Sequence, residues 1–73
     1  MTLIDRAEAL FASRLQPSER PTRAQVVRAI RGSVLACKGA SGCASALAAE
    51  YGEHPELAAE RMRWALQLAA LRE

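Results

Sequence analysis

Apolar residues fall at three- and four-residue spacing along most of this chain, and turn-forming residues interrupt the pattern three times. Ile4, Ala7, Phe11 and Leu15 share one face, which predicts a first helix over residues 3–15. Thr2 stands where its hydroxyl can cap that helix, with Asp5 at the third helical position. The stretch Gln16-Pro17-Ser18-Glu19-Arg20-Pro21 holds two prolines and breaks it. Thr22-Arg23-Ala24-Gln25 reads as a capping box, the clearest start signal in the chain. The second helix, 23–37, then carries Val26, Ile30, Val34 and Cys37 on its buried stripe, widened by Val27, with Arg28, Arg31 and Gly32 opposite. Gly39 is expected to be the left-handed residue that ends it. A short third helix, 43–51, places Ala44, Leu47, Ala48 and Tyr51 on one side and stops at Gly52. Pro55 suits the first turn of a fourth helix, 55–71, and Glu56 favours the positive end of its dipole.

The fourth helix departs from the single apolar face of an ordinary surface helix. Leu57, Trp64, Leu68 and Leu71 make one stripe, and Ala58, Met62, Ala65, Leu66 and Ala69 make a second. Only Glu60, Arg63 and Gln67 separate them. The expected fold is therefore all-α: a single domain over residues 1–73, with four short helices packed around the C-terminal one. Its core should include Phe11, Val26, Ile30, Val34, Leu47, Tyr51, Leu57, Trp64 and Leu68. Either the other helices cover both stripes, or part of the set Leu57, Met62, Trp64, Leu66, Leu68 and Leu71 is left for a helix–helix contact with a partner. Trp64 serves as core anchor in the first case and as the centre of the contact in the second.

Composition narrows the class. Hydrophobic residues make up 51% of the chain and charged residues 25%, which fits a folded domain. Alanine supplies much of the apolar share, and it forms helices better than it forms cores. A chain of 73 residues has little interior to spare for a deep ligand pocket, so an enzyme is not expected. The richness in alanine and arginine fits a high-GC bacterial gene. Met1–Leu15 has no basic start and is interrupted by Asp5, Arg6 and Glu8, so it does not read as a secretion signal. No apolar run reaches membrane-spanning length. The expectation is a cytoplasmic protein, away from membranes.

Charge is unevenly placed. The net charge is only +2, yet no acid occurs between Glu19 and Glu50. Arg20, Arg23, Arg28, Arg31 and Lys38 all lie in that interval, in or beside the second helix. Arg20, Arg28, Arg31 and Lys38 are the candidate contacts for an acidic partner or for phosphates; the alternative is a solvated face whose cations point in several directions.

Two cysteines, Cys37 and Cys43, bracket the second turn. In a cytoplasmic protein the default is a pair of small, partly buried thiols. The spacing also permits a disulfide or redox pair, closing a loop of about seven residues worth roughly 2 kcal/mol. It is not a Cys-x-x-Cys motif, and one distant histidine does not complete a zinc site. That histidine, His54, has Glu53 and Glu56 beside it, but Gly-Glu-His-Pro is equally an ordinary interhelical turn. No paired-carboxylate set or glycine-rich phosphate loop accompanies it. No catalytic residue, cofactor or metal is expected.

Residues 47–52 followed by the helix from Pro55 have the outline of a helix-turn-helix. The recognition helix would then open with Glu53, Glu56 and Glu60, which repel phosphates, with Arg61 and Arg63 arriving late. The segment Arg28–Ala36 (RAIRGSVLA), followed by Gly42-Cys43 and two further helices, is similar in outline to the ANTAR-type RNA-binding module over some ten residues. The aromatic and basic positions of that family's last helix have no clear counterpart here, so no residue role is carried over. The expected function is a non-catalytic protein–protein interaction or regulatory module, with homodimerisation as one form. The alternative is nucleic-acid binding through the basic second helix.

Overall fold

In the computed structural model, which describes residues 1–70, four helices follow one another through short turns. They are α1 (Leu3–Ala12), α2 (Arg23–Ala36), α3 (Ala40–Glu53) and α4 (Pro55–Ala69), with a 3-10 turn at Pro17–Glu19 between the first two. No strand occurs among the described residues, so the fold is all-α. The expected helix-contact residue Leu71 lies outside the described residues.

Both expected N-terminal caps form. The Asp5 amide donates to Thr2 Oγ1 at 3.0 Å, and the Thr2 amide donates to the Asp5 carboxylate at 3.2 Å. The Gln25 amide donates to Thr22 Oγ1 at 3.2 Å, and the Thr22 amide donates to Gln25 Oε1 at 2.7 Å. Each box satisfies donors that a helix start leaves open.

The helix ends differ from expectation. α1 stops at Ala12 rather than at residue 15. Pro17 bars the helix from running past it, since proline has no N–H to give the Ser13 carbonyl, but the earlier stop is made at Ser13. Ser13 turns to an extended conformation, and its hydroxyl donates back to the Leu10 carbonyl at 2.6 Å.

At the end of α2, the left-handed residue is Lys38 (φ +61°), not Gly39. The Lys38 amide donates to the Leu35 carbonyl and the Gly39 amide to the Val34 carbonyl at 2.8 Å, the paired bonds of a Schellman motif. Gly39 takes the next position, at φ +112°, and starts α3. α3 consequently begins at Ala40, three residues earlier than expected, and Gly52 does not stop it. Pro55 ends it, because the residue before a proline is disfavoured in the helical region; His54 there adopts φ −137°.

The centre of the packing is α1. It lies against all three other helices, most broadly against α4, whereas α2 meets α3 and α4 only lightly. Phe11, Val26 and Ile30 are buried as expected, together with Ala7, Ala9, Leu10, Cys43, Ala58, Ala65 and Ala69. Leu10, Val26 and Cys43 are the largest fully enclosed side chains. Val34, Leu47, Trp64 and Leu68 pack half-buried against that core. Tyr51 and Leu57 do not join it, at 36% and 66% exposed. The reason for Leu57 lies in α4, which turns its alanine stripe inward and so lets its backbone approach α1 closely. Leu57 shares the helical position of Trp64, which packs against the core one heptad on, but it lies in the first turn of α4, at the end of the helix, and is left outside. Ile4 at the start of α1 is also exposed.

The two cysteines are joined in a disulfide rather than held as free thiols. It links the end of α2 to the first turn of α3 across a Cα separation of 5.2 Å. The turn between them leaves no room for a side chain at residue 42: a Cβ on Gly42 would collide with the Cys37 carbonyl oxygen.

Candidate interaction surfaces

Arg61 is the most heavily engaged polar side chain of α4. Its Nε donates to the Phe11 carbonyl at 2.9 Å, and one terminal nitrogen donates to the carbonyls of Ser13 and Leu15, each at 2.9 Å. Its guanidinium carbon lies 4.8 Å from the Trp64 ring centroid and 5.7 Å from that of Phe11, within reach of the ring quadrupoles. No carboxylate among the described residues pairs with it. The carbonyls at the end of α1 take that place, at the negative end of the helix dipole. Burial pushes the guanidinium pKa downward, yet arginine keeps its proton throughout the range in which proteins fold.

This arrangement explains how the chain passes from α1 into the 3-10 turn. The Ser13 carbonyl, which lies past the last turn of α1 and has no helical donor, is satisfied from α4. Arg61 is therefore occupied within the fold rather than held ready for nucleic acid. The sequence signal was available in two halves: an arginine one turn from Ala58, Trp64 and Ala65, and a proline four residues after Ser13.

Above this latch lies an open groove lined by Phe11, Ala46, Leu57 and Ala58, with Glu50 and Arg61 at its edges. It continues past Leu57 and Arg61 onto Gln16, Pro17 and Glu60. The surrounding corner, where α3 passes into α4, carries Glu50, Glu53, Glu56 and Glu60, all exposed, and no arginine or lysine between Lys38 and Arg61. His54 is exposed there, 4.0 Å from the Glu53 carboxylate, and its side chain caps neither helix.

Arg28 and Arg31 come together with Arg23 on the outer face of α2, around Ala24 and Val27. Arg20 and Lys38 do not line that groove. Arg20 follows the 3-10 turn in a left-handed conformation, and Lys38 occupies the turn after α2. The sequence pattern overlooked Leu35. It lies one turn beyond Arg31 at helical spacing from Ala24 and Arg28, and it is 80% exposed. Its position one residue after the inward-facing Val34 was the available sign.

Of the expected helix-contact set, Met62, Trp64, Leu66 and Leu68 are spent on the core of this chain, and among its described members only Leu57 stands clear of it. No group of three or more potential metal ligands clusters among the described residues, and none of their helices is long and apolar enough to cross a membrane. No family model, curated protein or solved structure matches the chain.

Proposed function

We propose that this chain is a non-catalytic protein-interaction module whose contact surface is the Leu57 groove. The carrying observation is that Leu57 is 66% exposed on a groove floored by Phe11, Ala46 and Ala58. A leucine held out of the core by the turn of its own helix is a ready anchor for a partner's apolar side chain. The four glutamates around it favour a basic partner and set its orientation. An amphipathic segment with alternating leucine and arginine turns is the matching chemistry.

A titration of the labelled protein with such a synthetic leucine–arginine peptide, followed by amide and indole NMR, tests this. Saturable shifts at Ala46, Leu57 and the Trp64 indole are expected, and Leu57→Asp should abolish them. No shift at millimolar peptide, or undiminished binding by Leu57→Asp, overturns the reading.

The second reading, nucleic-acid binding through α2, draws on the three arginines gathered on its outer face. It predicts a salt-sensitive gel shift of DNA or RNA that Arg28→Glu with Arg31→Glu removes. It is the weaker reading because no aromatic side chain lies on α2 to stack on bases, and Leu35 and Val27 occupy the same face. A cytoplasmic setting is likewise a proposal from sequence. It requires the fold to stand while Cys37 and Cys43 are reduced, since that compartment keeps thiols free.

A further inference from the structure

We infer that the basic partner of the Leu57 groove is a second copy of this chain, which presents the outer face of α2. The inference rests on the groove being a protein-contact surface, and it names the occupant.

The two surfaces are complementary in sign. Residues 20–49 contain Arg20, Arg23, Arg28, Arg31 and Lys38 and no acid. Residues 50–60 contain Glu50, Glu53, Glu56 and Glu60 and no arginine or lysine. They also match in form. Each sets one outward leucine among like charges: Leu35, 80% exposed, beside Arg28 and Arg31, and Leu57, 66% exposed, beside Glu53, Glu56 and Glu60.

The surfaces belong to different parts of the molecule. The α2 face is built from α2 alone, and the groove from α1, α3 and α4, with no residue in common. α2 rests mainly on α1 and barely on α4, so one copy does not close its own basic face over its own acidic corner. A contact of one surface with a different surface on the next copy is heterologous. It leaves a free surface at each end, and so it propagates into an open chain or closes as a ring. Its charges make it sensitive to salt.

Sedimentation velocity across a concentration series tests this. Wild-type protein should rise above its 7.9 kDa mass with concentration, pass beyond a dimer, and fall back as salt is added. Two neutralised variants separate the surfaces: Glu53→Gln/Glu56→Gln/Leu57→Ser on the corner, and Arg23→Gln/Arg28→Gln/Leu35→Ser on α2. All six positions are exposed, so the thermal melts should match wild type. Each variant alone should be monomeric. Mixed, they retain one intact surface each and should form a two-chain complex that grows no further.

A wild-type monomer at millimolar concentration overturns the inference, as does a mixture that stays monomeric. A symmetric dimer that either variant still forms overturns it too, as does retention of RNA or DNA by a monomer through the α2 arginines. The groove reading fails separately. A monomer whose groove still takes the leucine–arginine peptide has lost only its proposed occupant, whereas a monomer that ignores the peptide has lost both.

Discussion

The seam between α1 and α4 and the junction between α2 and α3 are both tied, by opposite means. At the seam, Arg61 reaches across 50, 48 and 46 residues of chain to three carbonyls. The tie is non-covalent and exists only once the helices have met. At the junction, the disulfide spans a sequence separation of six, inside a turn already closed by the Lys38 and Gly39 backbone bonds. That tie is covalent and local, so it acts on the unfolded chain as much as on the folded one. The contrast shows where a small core needs help. Among the described residues Leu10, Val26 and Cys43 are the largest fully enclosed side chains and half of the buried apolar residues are alanines, so little large apolar surface holds α1 against α4. Alanines bring the two helices close there, and one arginine locks the register.

The largest expected effect lies at the seam. Arg61→Met should cost about 3 kcal/mol, since it removes three charge-assisted bonds and leaves three partly enclosed carbonyls without a protein donor. That is a large share of the roughly 4–11 kcal/mol expected for a domain of this length. Arg61→Lys should recover only part of the loss, because a single ammonium lacks the planar fork that spans the carbonyls. Urea melts of the three proteins check both statements. Wild-type stability in Arg61→Met would reduce the latch to a bystander.

The junction should matter less. Cys37→Ala with Cys43→Ala is expected to lower stability by about 2 kcal/mol and to leave a cooperative melt. Reduction of the wild-type protein should give the same shift, with a mass gain of about 2 Da as two thiols replace the disulfide. If the double variant unfolds outright, the local tie outranks the long-range one and the comparison reverses.

The smallest expected effect is a gain. Lys38 bears a left-handed backbone that costs a non-glycine residue roughly 1–2 kcal/mol. Glycine relieves it but loses more chain entropy on folding, about 0.5–1 kcal/mol. Lys38→Gly should therefore stabilise by about 0.5 kcal/mol in a denaturant melt, and a measured loss would assign the lysine side chain a structural role.

Much of the secondary structure was legible because its causes are local. The capping boxes at Thr2 and Thr22 and the helix start at Pro55 each depend on a few neighbouring residues. The apolar spacing continues to Leu15, but α1 ends at Ala12 because Ser13 turns extended and its hydroxyl donates to the Leu10 carbonyl, which the spacing does not show. Gly39 and Gly52 misled for a related reason. Glycine permits a helix end, but Lys38 took the left-handed position and Pro55 imposed the stop. Of the candidate contacts, Arg28 and Arg31 do share a face, whereas Leu35 is not legible from the inward stripe because it stands one residue outside it.

By itself the sequence determined that there are four helices, where most of them begin, and that the positive charge is collected on the second and the negative charge at the turn into the fourth. Those properties depend on hydrogen bonds, dihedral preferences and charges within a few residues. Only the tertiary structure decided how deep each of the two apolar stripes of α4 sits. The leucine and tryptophan stripe is the more hydrophobic, yet the alanine one takes the deeper place, because it lets the α4 backbone approach α1 while Arg61 reaches the carbonyls beyond Phe11. With the alanines inside, Leu57 is left outside, and the proposed partner surface at the acidic corner rests on that outcome.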